Sequence, residues 1–63
     1  MRTYEVRGYS SQERFDNVDG TCLEYNMTRK REAMKSGKNM LKIYPIVKVQ
    51  SSDREFIEIL TRG

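Results

Sequence analysis

The side chains best suited to chemistry in this 63-residue chain are basic, and they are unevenly placed. Seven of its twelve Lys and Arg residues lie between Arg29 and Lys48, a segment with one acid, Glu32. A basic band of this kind attracts polyanions and steers encounters with them. The candidate nucleic-acid contacts are the cluster that opens the band and the next lysine: Arg29, Lys30, Arg31 and Lys35. The band therefore indicates a partner that carries negative charge.

Other reactive groups are few, and they form no catalytic or metal-binding motif. The chain has one cysteine, Cys22, and no histidine. A thiol needs an activating base to act as a nucleophile, and a structural zinc site needs four ligands. We therefore expect no catalysis, no cofactor and no metal. We also expect Cys22 to be a buried structural thiol, as free cysteines commonly are.

Length and composition predict a small cytoplasmic protein. Sixty-three residues make at most one domain, residues 1–63, with a limited core. The first residues lack the apolar stretch of a signal peptide, and no apolar run reaches the roughly 20 residues that span a bilayer. A single cysteine fits a reducing compartment. We expect no membrane contact, and self-association or a partner would add stability.

Alternation of apolar and polar side chains predicts three strands. Residues 2–9 alternate and are rich in strand formers, whereas residues 10–20 are polar and predict a loop. Residues 39–50 are the most strand-like part of the chain. Pro45 interrupts them, and because it lacks a backbone donor it implies a sheet edge or a bulge. After a turn, residues 55–60 alternate again, so the last two strands should form a hairpin.

The segment between the first two predicted strands has two interpretations. Thr21 and Glu24 have the spacing of a capping box, which predicts a helix over residues 21–36. Gly37 would then be the left-handed residue that ends this helix. Residues 21–28 also alternate as in a strand, however, and the Asp-Gly pair before them is a hairpin-turn signal. Whether they form helix or strand stays open.

The elements predict an α+β fold: a small two-layer domain with one helix packed on a three-stranded sheet, in the order strand-helix-strand-strand. The helix covers one face of the sheet and leaves the other face open. The predicted core consists of the apolar residues on the covered side: Tyr4, Val6, Leu23, Met27, Met34, Leu41, Ile43, Val47, Val49, Ile57 and Ile59.

The predicted elements divide the basic band into two parts. On the helix, the basic residues point in different directions around the axis, which is typical of a solvated helix rather than of one that reads a groove. On the second strand, apolar and basic residues share a face, and we predict a partner-binding strip there: Met40, Lys42, Tyr44, Ile46 and Lys48. Tyrosine beside lysine on an open sheet can also stack unpaired bases.

These features favour a small non-enzymatic binding protein that attaches to a larger protein and modulates or inhibits it. Small size and patchy charge are typical of inhibitors and adaptors, including those that phages encode. The partner should carry an acidic surface that matches the basic band. The alternative is a nucleic-acid-binding protein that uses the band over residues 29–48. A homodimer that buries the same strip is a third expectation.

Overall fold

Residues 2–62, which a computed structural model describes, form a small α+β domain with two helices and one four-stranded antiparallel sheet. The elements are β1 (Tyr4–Tyr9), α1 (Gln12–Asp16), β2 (Thr21–Met27), α2 (Lys30–Met40), β3 (Ile46–Ser51) and β4 (Ile57–Thr61). The predicted α+β class is confirmed. The sheet has four strands rather than three because residues 21–27 join it.

Strand β2 settles the ambiguity of the segment before α2. Its residues pair with β1, so the strand interpretation of this segment is right, and the predicted helix over residues 21–36 is confirmed only from Lys30 onward. Glu24 does not close a capping box, and its carboxylate instead accepts a hydrogen bond of 2.9 Å from the Ser36 hydroxyl. The β1–β2 register shifts twice, and Asn26 has a φ of 61°. Such shifts are typical of bulges, which bend and twist an edge strand.

The sheet order is β2-β1-β3-β4, with every neighbouring pair antiparallel. Strands β2 and β3 both run opposite to β1, which lies between them, so they are parallel to each other. Helix α2 makes the crossover between these two strands, in the manner of a split βαβ unit. This connection places α2 against one face of β1 and β3 and leaves β2 and β4 as the two edges.

Helix α2 starts and ends later than the sequence predicts. It runs over Lys30–Met40, and its two fully covered residues, Ala33 and Gly37, face the sheet. Gly37 is therefore a packing residue inside the helix and not the left-handed residue that ends it. Helical hydrogen bonding continues into a turn, with Ile43 donating to Met40 at 2.9 Å. The predicted strand over residues 39–50 consequently shrinks to its second half.

The core lies between α2 and the two central strands. Its buried members are Tyr4, Val6, Ala33, Val47 and Val49. Around them pack half-buried side chains that include four of the predicted core residues: Leu23, Met27, Met34 and Leu41. The prediction is wrong for Ile43, Ile57 and Ile59, which are exposed.

The segment between β1 and β2 contains a short helix where the sequence predicts only a loop. Ser11 caps α1 by accepting a hydrogen bond of 3.2 Å from the backbone of Arg14. The Phe15 ring packs edge-on against Tyr9 at 5.0 Å between centroids. Tyr9 is thereby buried on the face opposite α2, so α1 covers one end of that face. Neither helix in residues 2–62 is long and apolar enough to cross a membrane.

Candidate functional site

The five residues of the predicted partner-binding strip do not share one face. The prediction of a single strand face is wrong because α2 extends to Met40 and β3 begins only at Ile46. Met40 and Tyr44 pack against the core on the α2 side, and Lys42 is exposed in the turn between the two elements. The structure brings none of these three together with the two strip residues of β3, Ile46 and Lys48, which lie on the other face of the sheet.

Tyr44 has a packing role that its position outside a strand does not suggest. Its ring lies against the backbone of Gly8 in β1, where a methyl group would come within 2.7 Å of the ring atoms. Gly8 has no side chain, so the aromatic ring can rest directly on the strand. Tyr44 is half-buried and contributes to the core, which leaves little of its ring for a partner.

The two strip residues of β3 lie on the sheet face away from α2, but only one is accessible. Ile46 is 7% exposed and pairs with Tyr9, at the end of the face that α1 covers. Lys48 pairs with Arg7 on one side and with Ile59 on the other, near the middle of the same face. Lys48 is thus the one member of the predicted strip on the uncovered part of this face.

The uncovered part forms a groove with a volume of about 400 Å³. We call it the open-face groove, and it is defined by its lining residues: Glu5, Arg7, Val18, Lys48, Gln50, Arg54 and Ile57. Register explains the grouping, because Gln50 pairs with Glu5 and with Ile57 across the sheet. A second, smaller cavity of about 180 Å³ lies beside the β1–β2 bulge and has one charged lining residue, Glu5.

The open-face groove carries positive charge. Its single acid, Glu5, is engaged by the sheet itself, because it accepts from Arg7 Nε at 3.2 Å and from the Gln50 amide. The side chains of Lys48 and Arg54 make no ion pair with any other residue in the range 2–62. Lys48 and Arg54 therefore add two positive charges beside the ion pair of Arg7 with Glu5. Such a surface favours a ligand with negative charge.

Apolar side chains border these charges. Ile57 is 49% exposed and Ile59 is 43% exposed, and both point to the open face from the edge strand β4. Val18 is 75% exposed on the opposite rim and has a φ of 55°. A β-branched residue rarely adopts this left-handed conformation, and such strain clusters at functional sites. The groove thus combines apolar contacts with cations, as protein interfaces do.

The predicted nucleic-acid contacts on α2 separate into two groups. Arg29 is the N-cap residue, and Lys30 lies over the Phe56 ring with 4.2 Å between Nζ and the centroid. Arg31 and Lys35 are exposed and, together with Lys38, are spaced three or four residues apart on one side of the helix. We call these three residues the α2 stripe. It faces away from the sheet, since the buried residues of α2 lie on the other side of the helix.

Cys22 is exposed, so the prediction of a buried structural thiol is wrong. It lies on β2 opposite Arg7, and its Sγ atom is 4.0 Å from a carboxylate oxygen of Glu5. Within the described residues, no three His, Cys, Asp or Glu side chains are placed to hold a metal ion together. The thiol therefore borders the open-face groove without a metal cluster beside it.

The β3–β4 turn, next to the groove, holds an unusually acidic carboxylate. Asp53 accepts hydrogen bonds from the buried Ser51 hydroxyl and from the Glu55 backbone at 3.1 Å. Arg2 Nε also donates to it at 3.0 Å. These contacts, with the Ser51 hydroxyl first, lower the pKa of Asp53 from 3.8 to about 2. Asp53 therefore stays ionised and fixes the turn that positions Arg54.

Sequence reasoning missed most of the groove. Arg54 and Val18 lie in turns, where no strand periodicity assigns a face, and their approach to the groove depends on the tertiary fold. Ile57 and Ile59 did carry a signal, because their alternation predicts a strand. The same alternation predicts core positions, since the sequence does not show that β4 is an edge strand whose open face is uncovered.

Comparisons of the chain with protein-family models, with curated proteins and with solved structures found no match. The open-face groove and the α2 stripe are therefore the features on which a function can be argued. They lie on opposite sides of the sheet, so a substitution on one surface leaves the other intact.

Proposed function

We propose that the chain is a small non-enzymatic binding protein whose open-face groove attaches to an acidic surface of a larger protein and thereby modulates or inhibits it. The observation that carries the proposal is the groove itself, where Arg7, Lys48 and Arg54 lie beside the exposed side chains of Ile57 and Val18. Lone surface cations are ordinary, but cations around exposed isoleucine and valine are typical of a contact surface.

The chemistry of the groove favours a folded acidic protein over a small ligand. The groove is partly open to solvent, and its lining residues Val18 and Ile57 are exposed, whereas sites for small molecules are usually enclosed and bury most of the ligand. Glu5 is paired with Arg7 and Gln50, so Lys48 and Arg54 are the groove cations that remain for acidic groups of a partner. Charge complementarity of this kind raises association rates and selects acidic partners, while the apolar contacts supply affinity.

The test is affinity capture from native host cells, with mass spectrometry before and after nuclease treatment. A stoichiometric acidic protein should be retained after nuclease and should be lost with Lys48→Glu or Arg54→Glu. We expect at least about tenfold weaker binding for each, since reversing a charge at an interface both removes an attraction and adds a repulsion. Lys35→Glu on the α2 stripe makes the same charge change on the other side and should bind normally. Retention of the partner by Lys48→Glu would overturn the proposed surface.

A nucleic-acid-binding function is the second candidate, and the α2 stripe is the observation that favours it. Arg31, Lys35 and Lys38 present three cations on one exposed side of a helix. Phosphate contacts by such residues give an affinity that falls steeply with salt. If this function is correct, a labelled oligonucleotide should bind at low salt, and Lys35→Glu should weaken it while Lys48→Glu leaves it nearly unchanged. A flat salt response would exclude it.

A further inference from the structure

The outer edge of β4 is a regular strand edge with no neighbour in the sheet. Hydrogen-bonded and non-hydrogen-bonded residue pairs alternate along an antiparallel ladder. Two backbone contacts fix the alternation between β3 and β4: Ser51 donates to Phe56 at 2.9 Å, and Arg62 donates to Pro45 at 3.0 Å. The even-numbered residues of β4 therefore bond to β3.

The odd-numbered residues consequently direct their backbone groups outward. Ile57, Ile59 and Thr61 each present an N–H and a C=O at the edge, where β4 has no neighbouring strand. Unpaired groups on a straight edge are a template for another strand. The opposite edge of the sheet differs, because β2 carries two register shifts and the left-handed Asn26. Bulges of this kind protect an edge from pairing, so β4 is the edge suited to accept a strand.

We propose that two copies of this chain pair through antiparallel β4 strands, with Leu60 opposite Leu60 of the second copy. In this register Ile59 faces Thr61 of the second copy, and both residues use their outward backbone groups. Glu58 then faces Arg62 of the second copy, and the two-fold symmetry of the pair repeats this contact. The strand is thus complementary to itself in both backbone and charge.

The side chains that meet in this register are available. Glu58 is exposed and makes no hydrogen bond or ion pair with other residues in the described part of the chain. Arg62 uses Nε to donate to the Leu41 carbonyl at 2.7 Å, which orients the guanidinium and leaves its terminal nitrogens for a carboxylate. Both residues alternate with Ile59 and Thr61, so they lie on the α2 side of the strand.

A neighbouring register pairs the outward backbone groups equally well, but it places unlike side chains opposite one another. If Ile59 faced Ile59 of the second copy, the outward groups would still pair, but Glu58 would lie opposite Leu60. Non-hydrogen-bonded pairs bring side chains closest together, so a carboxylate opposite leucine would be unfavourable there. The charges therefore select the register centred on Leu60. The two sheets become one, and the two exposed Ile59 side chains lie diagonally across from one another on the open face.

Dimerisation through β4 adds stability to a 63-residue chain whose core is small, because self-association is a common source of stability at this size. The inference does not depend on the proposed function, since Lys48 and Arg54 lie away from the outer edge of β4.

Sedimentation equilibrium over a concentration series tests the pairing. The wild-type chain should shift reversibly from 7.5 kDa to twice that mass. Glu58→Arg and Arg62→Glu should each weaken dimerisation by about tenfold or more, since each puts like charges opposite one another twice. The double variant E58R/R62E should restore the wild-type constant. A mixture of the two single variants should form a heterodimer, because each then supplies the charge that the other needs.

Glu32→Arg on α2 makes the same charge change as Glu58→Arg and should dimerise as the wild type does. Circular dichroism of each variant separates loss of pairing from loss of fold. The proposal is overturned if the folded wild type stays monomeric at millimolar concentration. It is also overturned if a dimer forms but ignores the single reversals, or if the double reversal fails to restore it.

Discussion

Gly37 of α2 lies so close to Val49 of β3 that a methyl group at position 37 would come within 2.7 Å of the Val49 Cγ2 atom. The same methyl group would approach Leu60 Cδ1 to 3.1 Å. Valine is stiff and Val49 is buried, so its Cγ2 atom cannot move without disturbing the core. The absence of a side chain at position 37 sets the distance between the helix and the sheet.

Gly37→Ala should therefore destabilise the protein, although alanine is the better helix former. Overpacking costs about 1–3 kcal/mol and the gain in helix propensity is about 1 kcal/mol, so we expect a net loss of about 1 kcal/mol. Urea denaturation followed by circular dichroism measures it. Asn39→Ala, at an exposed position of the same helix, should be neutral or slightly stabilising. A more stable Gly37→Ala protein would contradict the packing described for α2.

Tyr44→Ala should affect folding rather than binding. The half-buried ring covers Gly8 and contacts the core, and its removal should cost about 2 kcal/mol, less than for a fully buried aromatic residue. Tyr25→Ala is the matched control, because this tyrosine is 70% exposed on β2 and its loss should cost less than about 0.5 kcal/mol. Equal stability of the two variants would mean that Tyr44 does not pack as described.

Much of the fold follows from residue patterns, and the site does not. The alternation in β1, β3 and β4 and the α+β class could be predicted because each strand has its own period-two signal. Residues 21–27 were ambiguous because their local signals, a capping box and a hairpin turn, point to different structures. Pairing with β1 decides between them, and that contact is not local.

The error at Tyr44 shows why the candidate site was missed. Residues 39–50 are rich in strand formers, so the sequence predicts one strand that continues through Pro45. In the structure the helix runs to Met40 and a turn follows, which puts Tyr44 on the α2 side and Lys48 on the opposite face. Because β3 begins at Ile46 and not at residue 39, the alternation no longer assigns a sheet face to the residues before Ile46.

Cys22 should react readily in the native state, because its thiol is exposed on β2. We expect labelling by a thiol-specific maleimide at a rate within about tenfold of the urea-unfolded chain, since exposure and thiolate fraction govern such reactions. Mass spectrometry of the intact protein follows the reaction, and Cys22→Ser gives the background. A thiol that reacts only after unfolding would contradict its position at the surface.

Asp53→Asn should lower stability in a pH-dependent manner. The pKa of Asp53 falls from 3.8 to about 2 on folding, chiefly because the Ser51 hydroxyl donates to its carboxylate. A lowered pKa stabilises the folded state above about pH 4, and this contribution is lost as the pH falls towards 2. The difference in urea midpoint between wild type and Asp53→Asn should thus be largest at pH 7 and shrink steadily between about pH 4 and pH 2.

The carboxyl carbon resonance of Asp53 provides a direct check on the same group. It should titrate with a midpoint near 2 in the folded protein. Ser51→Ala, which removes the first of its hydrogen-bond donors, should move the midpoint back towards 3.8. A midpoint that Ser51→Ala leaves unchanged would show that the buried hydroxyl is not the cause.

The position of β1 in the sheet determines when this protein can fold. Strand β1 is near the start of the chain, yet its partner β3 lies more than half the chain away, with Tyr4 opposite Ser51. Ordering so long an intervening segment costs entropy before the central pair forms, which slows folding relative to a helical protein of similar length. During synthesis the apolar side of β1 therefore stays exposed until β3 has emerged from the ribosome and can pair with it. Folding should then proceed as one late, cooperative event rather than element by element.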